Sequence, residues 1–534
     1  MWDDWIFLAW ITQSHPDWMF QHFNNYGVPL YSLVYLPFFA ISNDASISVI
    51  IAKTAYFLGV IINALLIMLI SKKVSHGNLG FAALAGIFAV CFPALSGEGF
   101  HLSALIYYFF IPLFLTGILL FIKVASSKKI DLLFRIIALG ALFISFSLNS
   151  LLVMFYALVP AIFYASLQEE KKNLNDIVIS IRLFLTRHMD FLLLPFIFWG
   201  VKKVFMPCVG IYARYNQMSF DWLGILSGYK SLIPDILQTT FYSPLSIQYV
   251  FWIALVIFVL LLFVGQSLPT YFGRDINLSK NHLLVLFCFG LLALAGTAFP
   301  YYMVGRRSFQ AFGFMSRDNV LFPLPVSWIS AALFCMLLKP QSSSKSSSLK
   351  SLSFLRQRIS FAVFVSLIIS QSLANWRNHA DWQAHYVYYR SVIEKLTRDT
   401  LVREASVIQL VDQLPGDRSL QAWKYPTSIW TEIISAAFHK TARLAIPFPP
   451  ENGQFFTNEE INRRVRETEV DFMLRDINLK GPQIKLTIQS TNVSPSPLRL
   501  ALAYWQTRFF YPADMPKLLD SLTQIKSERL IGKH

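Results

Sequence analysis

Charge is scarce in this sequence. Asp, Glu, Lys and Arg make up 14% of 534 residues, against about a quarter in soluble domains, while 55% are hydrophobic. That balance argues against an ordinary soluble protein. Cysteine is also rare: Cys91, Cys208, Cys288 and Cys335 are the four in the chain, all in or near apolar stretches. No disulfide framework is expected from them. No repeat of fixed period is present. The first residues lack a basic stretch, and Gln13, Ser14, His15 and Pro16 interrupt the first apolar one, so no secretory signal is expected. Acids are the scarcer charge, and the net charge is +15. In so apolar a chain this excess points to basic cytoplasmic loops and contacts with anionic membrane lipid, and no nucleic-acid partner is expected.

Long apolar runs are what the sequence has in abundance. The clearest are Ile47–Ile70, Leu79–Ala94, Leu102–Phe121, Phe191–Phe205, Tyr249–Val264, Leu283–Met303 and Leu321–Leu338. At ~1.5 Å per residue the first reaches roughly 36 Å, enough to cross a core of ~30 Å. Ile136–Ala165 carries the polar interruption SLNS at Ser147–Ser150 and reads as two short helices meeting there. Ile359–Ile369 is a weaker last span. The expected fold is an all-α polytopic membrane domain of about ten transmembrane helices over residues 1–372. A small α/β domain follows over 373–534. There Ser406–Val411 and Ile484–Ser490 read as strands, and Thr427–Arg443 and Met515–Lys526 as helices.

The basic loops set an orientation. Ser71–Asn78, Lys123–Arg135 and the Ser-rich linker Lys339–Arg358 are expected in the cytoplasm, the last of them as a mobile segment. Parity then places residues 1–43, 95–101, the SLNS break, 206–248, 304–319 and the C-terminal domain outside. This holds only if Val28–Ile41 does not cross. At about 14 residues it suits a helix lying on the outer leaflet.

Several polar residues are thereby placed on the outer side. Asp3 and Asp4 stand among Trp2, Trp5 and Trp10, either as a site or as a solvated terminus beside an aromatic belt. Arg306, Arg307 and Arg317 share one outer loop, against the positive-inside trend. They suit phosphate oxygens, or lipid headgroups, or a pairing with Asp318. Lys53 lies near the outer end of its span, where an ammonium needs a partner or must snorkel. Glu98 and His101 form a second outer acidic site. Asn149 could bond a sugar hydroxyl or satisfy backbone at the helix break. His15, Asp17 and His22 with Glu98 and His101 could make an oxygen and nitrogen metal site, but without tight ligand spacing. No cofactor is expected, and a divalent metal is the one alternative.

Asp3-Asp4, then Gly27-Val28-Pro29-Leu30 through Ile41, then Ile47–Ile70 with Asn63-Ala64-Leu65-Leu66 resembles the start of GT-C membrane glycosyltransferases. The likeness covers about the first 165 residues and is to the protein O-mannosyltransferase and aminoarabinose transferase types. It implies a bacterial inner-membrane enzyme that moves a sugar from a polyprenyl-phosphate carrier to a cell-envelope acceptor. By the resemblance, Asp3 or Asp4 is the general base, Glu98 an auxiliary acid, and Lys53, His101, Asn149, Arg306, Arg307 and Arg317 bind substrate. Family members have a helix before the acidic pair, whereas this chain begins at the pair. That departure implies either an upstream start or a lost first helix. A transporter or flippase of lipid-linked intermediates, and an inactive GT-C-like structural subunit, are the competing expectations.

Overall fold

A computed structural model of the chain describes residues 7, 10–11, 16–41, 45–92, 104–127, 131–169, 177–209, 213, 221–264, 278–305, 309, 319–339, 347–413, 426–438, 443–447, 457–466, 481–491 and 496–530. Its N-terminal helices are α1 (Pro16–Asn25), α2 (Ser32–Ile41, entered through a 3-10 turn at Pro29–Tyr31), α3 (Ala45–Val74), α4 (Leu79–Cys91) and α5 (Leu105–Ser126). Next come α6 (Leu132–Ser145), α7 (Ser150–Glu169), α8 (Ile177–Arg187), α9 (Met189–Phe205) and α10 (Trp222–Leu237). The helical part ends with α11 (Gln248–Val264), α12 (Lys280–Met303), α13 (Pro323–Leu338) and α14 (Ser347–Arg398).

Among the described residues five helices are long and apolar enough to cross a membrane: Ile47–Val74, Leu105–Ser126, Ser150–Leu167, Lys280–Met303 and Phe354–Arg398. The pair Trp222–Ser246 and Gln248–Phe263, bent by 91°, meets the same test when taken together. Outward faces bear Phe57, Leu65, Leu133, Phe196 and Phe263, which lipid solvates and water does not. The chain is a helical membrane protein. Two expected spans are short: helices α4 and α13 have 13 and 16 residues, or roughly 20–24 Å against a ~30 Å core.

Short polar residues start these helices. The side chains of Asn78, Asp131, Asp221 and Ser279 accept from the backbone N–H groups of Phe81, Phe134, Gly224 and His282. Between α3 and α4 the chain reverses at Gly77, whose φ of 82° an L side chain rarely adopts and whose N–H closes on the Lys72 carbonyl.

The two ends of the bundle differ in chemistry. At the end bearing Lys72 and Lys73, His76 meets Tyr164 at 3.1 Å, and Lys339 donates to the Leu278 carbonyl. The Arg135 fork there grips Asp190, with Nε to Oδ2 at 2.7 Å and Nη2 to Oδ1 at 2.5 Å. Its Nη2 also donates to the Arg187 carbonyl at 2.8 Å, while Arg187 donates to the Ser127 carbonyl. Four segments, α5, α6, α8 and α9, are tied together by this network.

At the opposite end the SLNS interruption separates α6 from α7, where the sequence placed it. The Tyr31 hydroxyl donates to the Ser147 carbonyl at 3.3 Å, and its ring packs on Phe110. The 3-10 turn and α2 together cover Pro29–Ile41, about 20 Å of chain, too little to span the core.

Helix α14 departs most from expectation. It has 52 residues where a weak 11-residue span was read, and it runs through the expected domain boundary at 372. Part of the Ser-rich linker is helical within it, and Arg356 and Gln357 bond the carbonyls of Lys339 and Leu338. Neither glycine nor proline occurs from Ser347 to Arg398, so nothing local stops the helix. Its apolar half packs among the membrane helices, and its polar half forms a spine for a sheet.

After a short helix α15 (Thr400–Glu404), that sheet is built from β1 (Val407–Gln413), β2 (Leu444–Pro447), β3 (Gln483–Ser490) and β4 (Thr523–Arg529). Helix α16 (Pro426–Ala437) joins β1 to β2, α17 (Asn458–Arg466) precedes β3, and α18 (Pro497–Phe510) and α19 (Met515–Asp520) precede β4. The strand order is β2-β1-β3-β4, with β1 parallel to both neighbours and β4 antiparallel to β3. Two expected helices are shorter than read. The first stops at Ala437 and gives way to β2, and the second stops at Asp520 because Thr523–Arg529 pairs with β3 along seven positions. An edge of backbone donors offered by β3 outweighs the local helical pattern.

Candidate functional site

Seven residues singled out from the sequence, Asp3, Asp4, Glu98, His101, Arg306, Arg307 and Arg317, lie outside the described residues, as does His15. Lys53 and Asn149 are described. Lys53 Nζ donates to Gln383 Oε1 on α14 at 3.4 Å and stands 5.9 Å from the Tyr386 ring centre. Its ammonium thus reaches out of the bundle toward the polar half of α14. Asn149 Oδ1 accepts from Lys202 Nζ at 2.8 Å, which binds the last turn of α9 to the SLNS break. Asp17 and His22 both lie on α1, where the His22 ring packs on Trp10. Among the described residues no group of three His, Cys, Asp or Glu side chains could hold a metal ion.

The bent pair brings together residues that the sequence reading had assigned to an outer loop. Helix α10 carries Pro234-Asp235 near its end, then continues as a π turn (Gln238–Tyr242) and a single turn (Ser243–Ser246) before bending into α11. Pro244 has no N–H for the Thr240 carbonyl four residues earlier, and Gln371 Nε2 of α14 supplies one at 3.0 Å. The Asp235 carboxylate lies in electrostatic reach of the Tyr302 phenol at the end of α12. On α14 Arg377 forms an ion pair with Asp381, one turn further on, at 3.0 Å. The overlooked signal was Asp235 inside the apolar run WLGILSGYKSLIPDIL, since an acid at membrane depth needs a reason.

Gly228 makes this packing possible. A Cβ there would come within 2.6 Å of Tyr302 Cδ1. Gly228→Ala is expected to lower stability by about 1–3 kcal/mol through overpacking. Gly200→Ala, with nothing within 4 Å of the new carbon, is the matched control and should be neutral or slightly stabilising. Thermal unfolding of the two purified variants distinguishes them; equal midpoints would show that Tyr302 moves aside freely.

Between α3, α5 and α13 lies a small pocket lined by Val60, Asn63, Tyr108, Ile111, Leu115 and Leu324 among others. Its wall is nearly all apolar, and the Asn63 Oδ1 atom is buried without a hydrogen-bond partner. Toward the sheet, Tyr389 of α14 is buried, its ring edge-on to Trp430 of α16. No protein-family model, curated protein or solved structure matches the chain.

Proposed function

We propose that this chain is a GT-C-like membrane glycosyltransferase. It takes a sugar from a polyprenyl-phosphate carrier and places it on a cell-envelope acceptor at the outer face of a bacterial inner membrane. The observation that supports this best is convergence at one end of the bundle. The short segment Pro29–Ile41, the SLNS break with Asn149 and Lys202, and Lys53 with the polar half of α14 all gather there. That end also adjoins the sheet, which in this reading is an extracytoplasmic domain that presents the acceptor. In the same reading the helices make about ten crossings. Asp3 or Asp4 acts as base, Glu98 and His101 border the acceptor, and Arg306, Arg307 and Arg317 hold the leaving phosphate.

The 91° bend between Ser246 and Gln248, in a helix pair that also carries Asp235, favours a second reading, a transporter of lipid-linked intermediates, because broken helices with an embedded acid are common in such proteins. Reconstitution separates the two. Purified protein in vesicles carrying polyprenyl-phosphate-linked sugars should consume the donor and release free polyprenyl phosphate. Movement of intact lipid-linked sugar between leaflets, with no cleavage, would replace glycosyl transfer by transport.

A further inference from the structure

Two lysines of α3 mark where the bilayer ends. Residues 54–71, between Lys53 and Lys72, carry no charge. From Lys53 to Lys73 the helix advances about 30 Å, the thickness of the hydrocarbon core. With Lys72 and Lys73 at one boundary, Lys53 stands at the other. Its ammonium meets Gln383 and Tyr386 of α14, so that stretch of α14 lies at headgroup level.

The C-terminal chain returns to this level at α18. Strand β3 pairs antiparallel with β4, Ile484 opposite Arg529 and Ser490 opposite Thr523. Ser527 of β4 bonds Asp399 at 2.6 Å, and Thr523 bonds Ser391 of α14 at 2.6 Å. Strand β3 therefore runs along α14 from Asp399 toward Ser391, in the direction of the bundle. Helix α18 follows it and buries Leu500 and Tyr504 against Ala384, Val387 and Tyr388. The Tyr504 ring is edge-on to Tyr386 at 6.4 Å, and its hydroxyl accepts from Arg390 at 2.9 Å and from Arg508 at 3.3 Å. Helix α19 and β4 then lead away again, with Ser391 donating to the Leu519 carbonyl. Helix α18 is thus the turning point of this part of the fold, beside the residues that touch Lys53.

The face that α18 turns away from α14 is poorly suited to water. Arg499, Leu502, Gln506, Phe509 and Phe510 fall within about 100° of the helix circumference, opposite the buried Leu500, Ala501 and Tyr504. Phe509 and Phe510 are 72% and 75% exposed, and Leu502 and the following Tyr511 are exposed as well. In the headgroup layer such rings contact apolar carbon, while an exposed arginine contacts phosphate.

We propose that α18 is an interfacial anchor. Leu502, Phe509, Phe510 and Tyr511 seat in the headgroup layer of the bilayer that α3 crosses, with Arg499 at the level of the phosphates. The anchor fixes the height of the sheet above the membrane. It does not depend on glycosyl transfer.

The test is photocrosslinking of the full chain in vesicles of equimolar phosphatidylcholine and phosphatidylglycerol. p-Benzoylphenylalanine replaces Phe510, Leu502 or Lys526 in separate chains. Lys526 is the control, because it is exposed on β4 next to Ser527, which is held at the far end of α14. Lipid adducts per chain, read by mass spectrometry, should be several-fold more frequent from Phe510 and Leu502 than from Lys526. The Leu502 chain carries the test if the Phe510 chain does not insert. Adding Phe509→Ser and Phe510→Ser to the Leu502 chain should lower its adduct yield several-fold, since the apolar side chains that hold the helix in the interface are gone. Yields from Phe510 and Leu502 no higher than from Lys526 overturn the anchor. Crosslinks mainly to a second copy of the chain overturn it too, and replace the bilayer with a dimer contact.

Discussion

Asp190→Ala should be among the most destabilising single substitutions in the membrane part of this protein. It strips the carboxylate from Arg135, whose side chain is 15% exposed and cannot turn to water without leaving its place between α6 and α9. Breaking a buried pair from one side typically costs ~3–5 kcal/mol, since the remaining charge stays in a poor solvent. Asp190 is itself 36% exposed, so a loss of about 2–4 kcal/mol is the better expectation. The surviving bond from Arg135 to the Arg187 carbonyl recovers only part of it. By contrast Lys517 and Asp514 pair at 3.0 Å with side chains 84% and 54% exposed, and Asp514→Ala should change stability by under about 0.5 kcal/mol. The double variant Arg135→Met with Asp190→Leu separates charge from packing, because it removes both ions and keeps volume. It should recover much of the loss. Thermal unfolding in lipid nanodiscs reads all of these, and an Asp190→Ala midpoint no lower than that of Asp514→Ala would show the pair to be solvated.

The network that makes this expectation possible was only partly legible in the sequence. Arg135 was visible as part of a basic loop, but its bond to Asp190 joins residues 55 positions apart, and no local pattern announces such a pairing. Length and hydropathy were enough for Ile47–Ile70 and Leu283–Met303, where a continuous apolar run has few alternatives to a helix. The polar tetrapeptide SLNS was enough for the break between α6 and α7. Hydropathy windows failed at α14, because they register apolarity and miss helical continuity. The better signal there was the absence of glycine and proline over 52 residues. They failed differently at β4, whose helical-looking neighbourhood is overridden by an edge of β3 that lies 33 residues or more away in sequence.

The site shows the same division. Lys53 advertised its need for a partner because an ammonium at that depth is expensive, and Gln383 with Tyr386 meets it. The identity of those partners was unreadable, since they lie some 330 residues downstream on a helix not recognised as continuous. Asn149 was compatible with a sugar hydroxyl but reads more often as a helix-junction residue, and in this structure its side chain accepts from Lys202 at the break between α6 and α7. Asp235 was overlooked for a simpler reason. The stretch 206–248 was taken as one outer loop on parity, which hid an apolar run containing an acid.

The largest effect on activity is expected at the opening acids. If the chain transfers a sugar from a lipid phosphate, the attacking hydroxyl must lose its proton as the carbon–oxygen bond forms. A carboxylate at the membrane surface is the group that accepts it, and a base within hydrogen-bonding reach contributes ~10²–10⁴-fold. Asp3→Asn or Asp4→Asn preserves size and removes the proton acceptor, so one of the two should lose ~10²–10⁴-fold in turnover while carrier binding holds. The other should lose far less, which would identify it as a neighbour of the base. Arg306→Ala, Arg307→Ala and Arg317→Ala should behave in the opposite way. Loss of a forked contact to phosphate weakens carrier binding as well as turnover, because the phosphate is present in both ground and transition states. The measurement is donor consumption in vesicles at saturating and limiting carrier, with carrier binding measured separately on the same preparations. Full turnover in the Asp3→Asn, Asp4→Asn double variant would remove the acids from the chemistry and with them the main argument for glycosyl transfer.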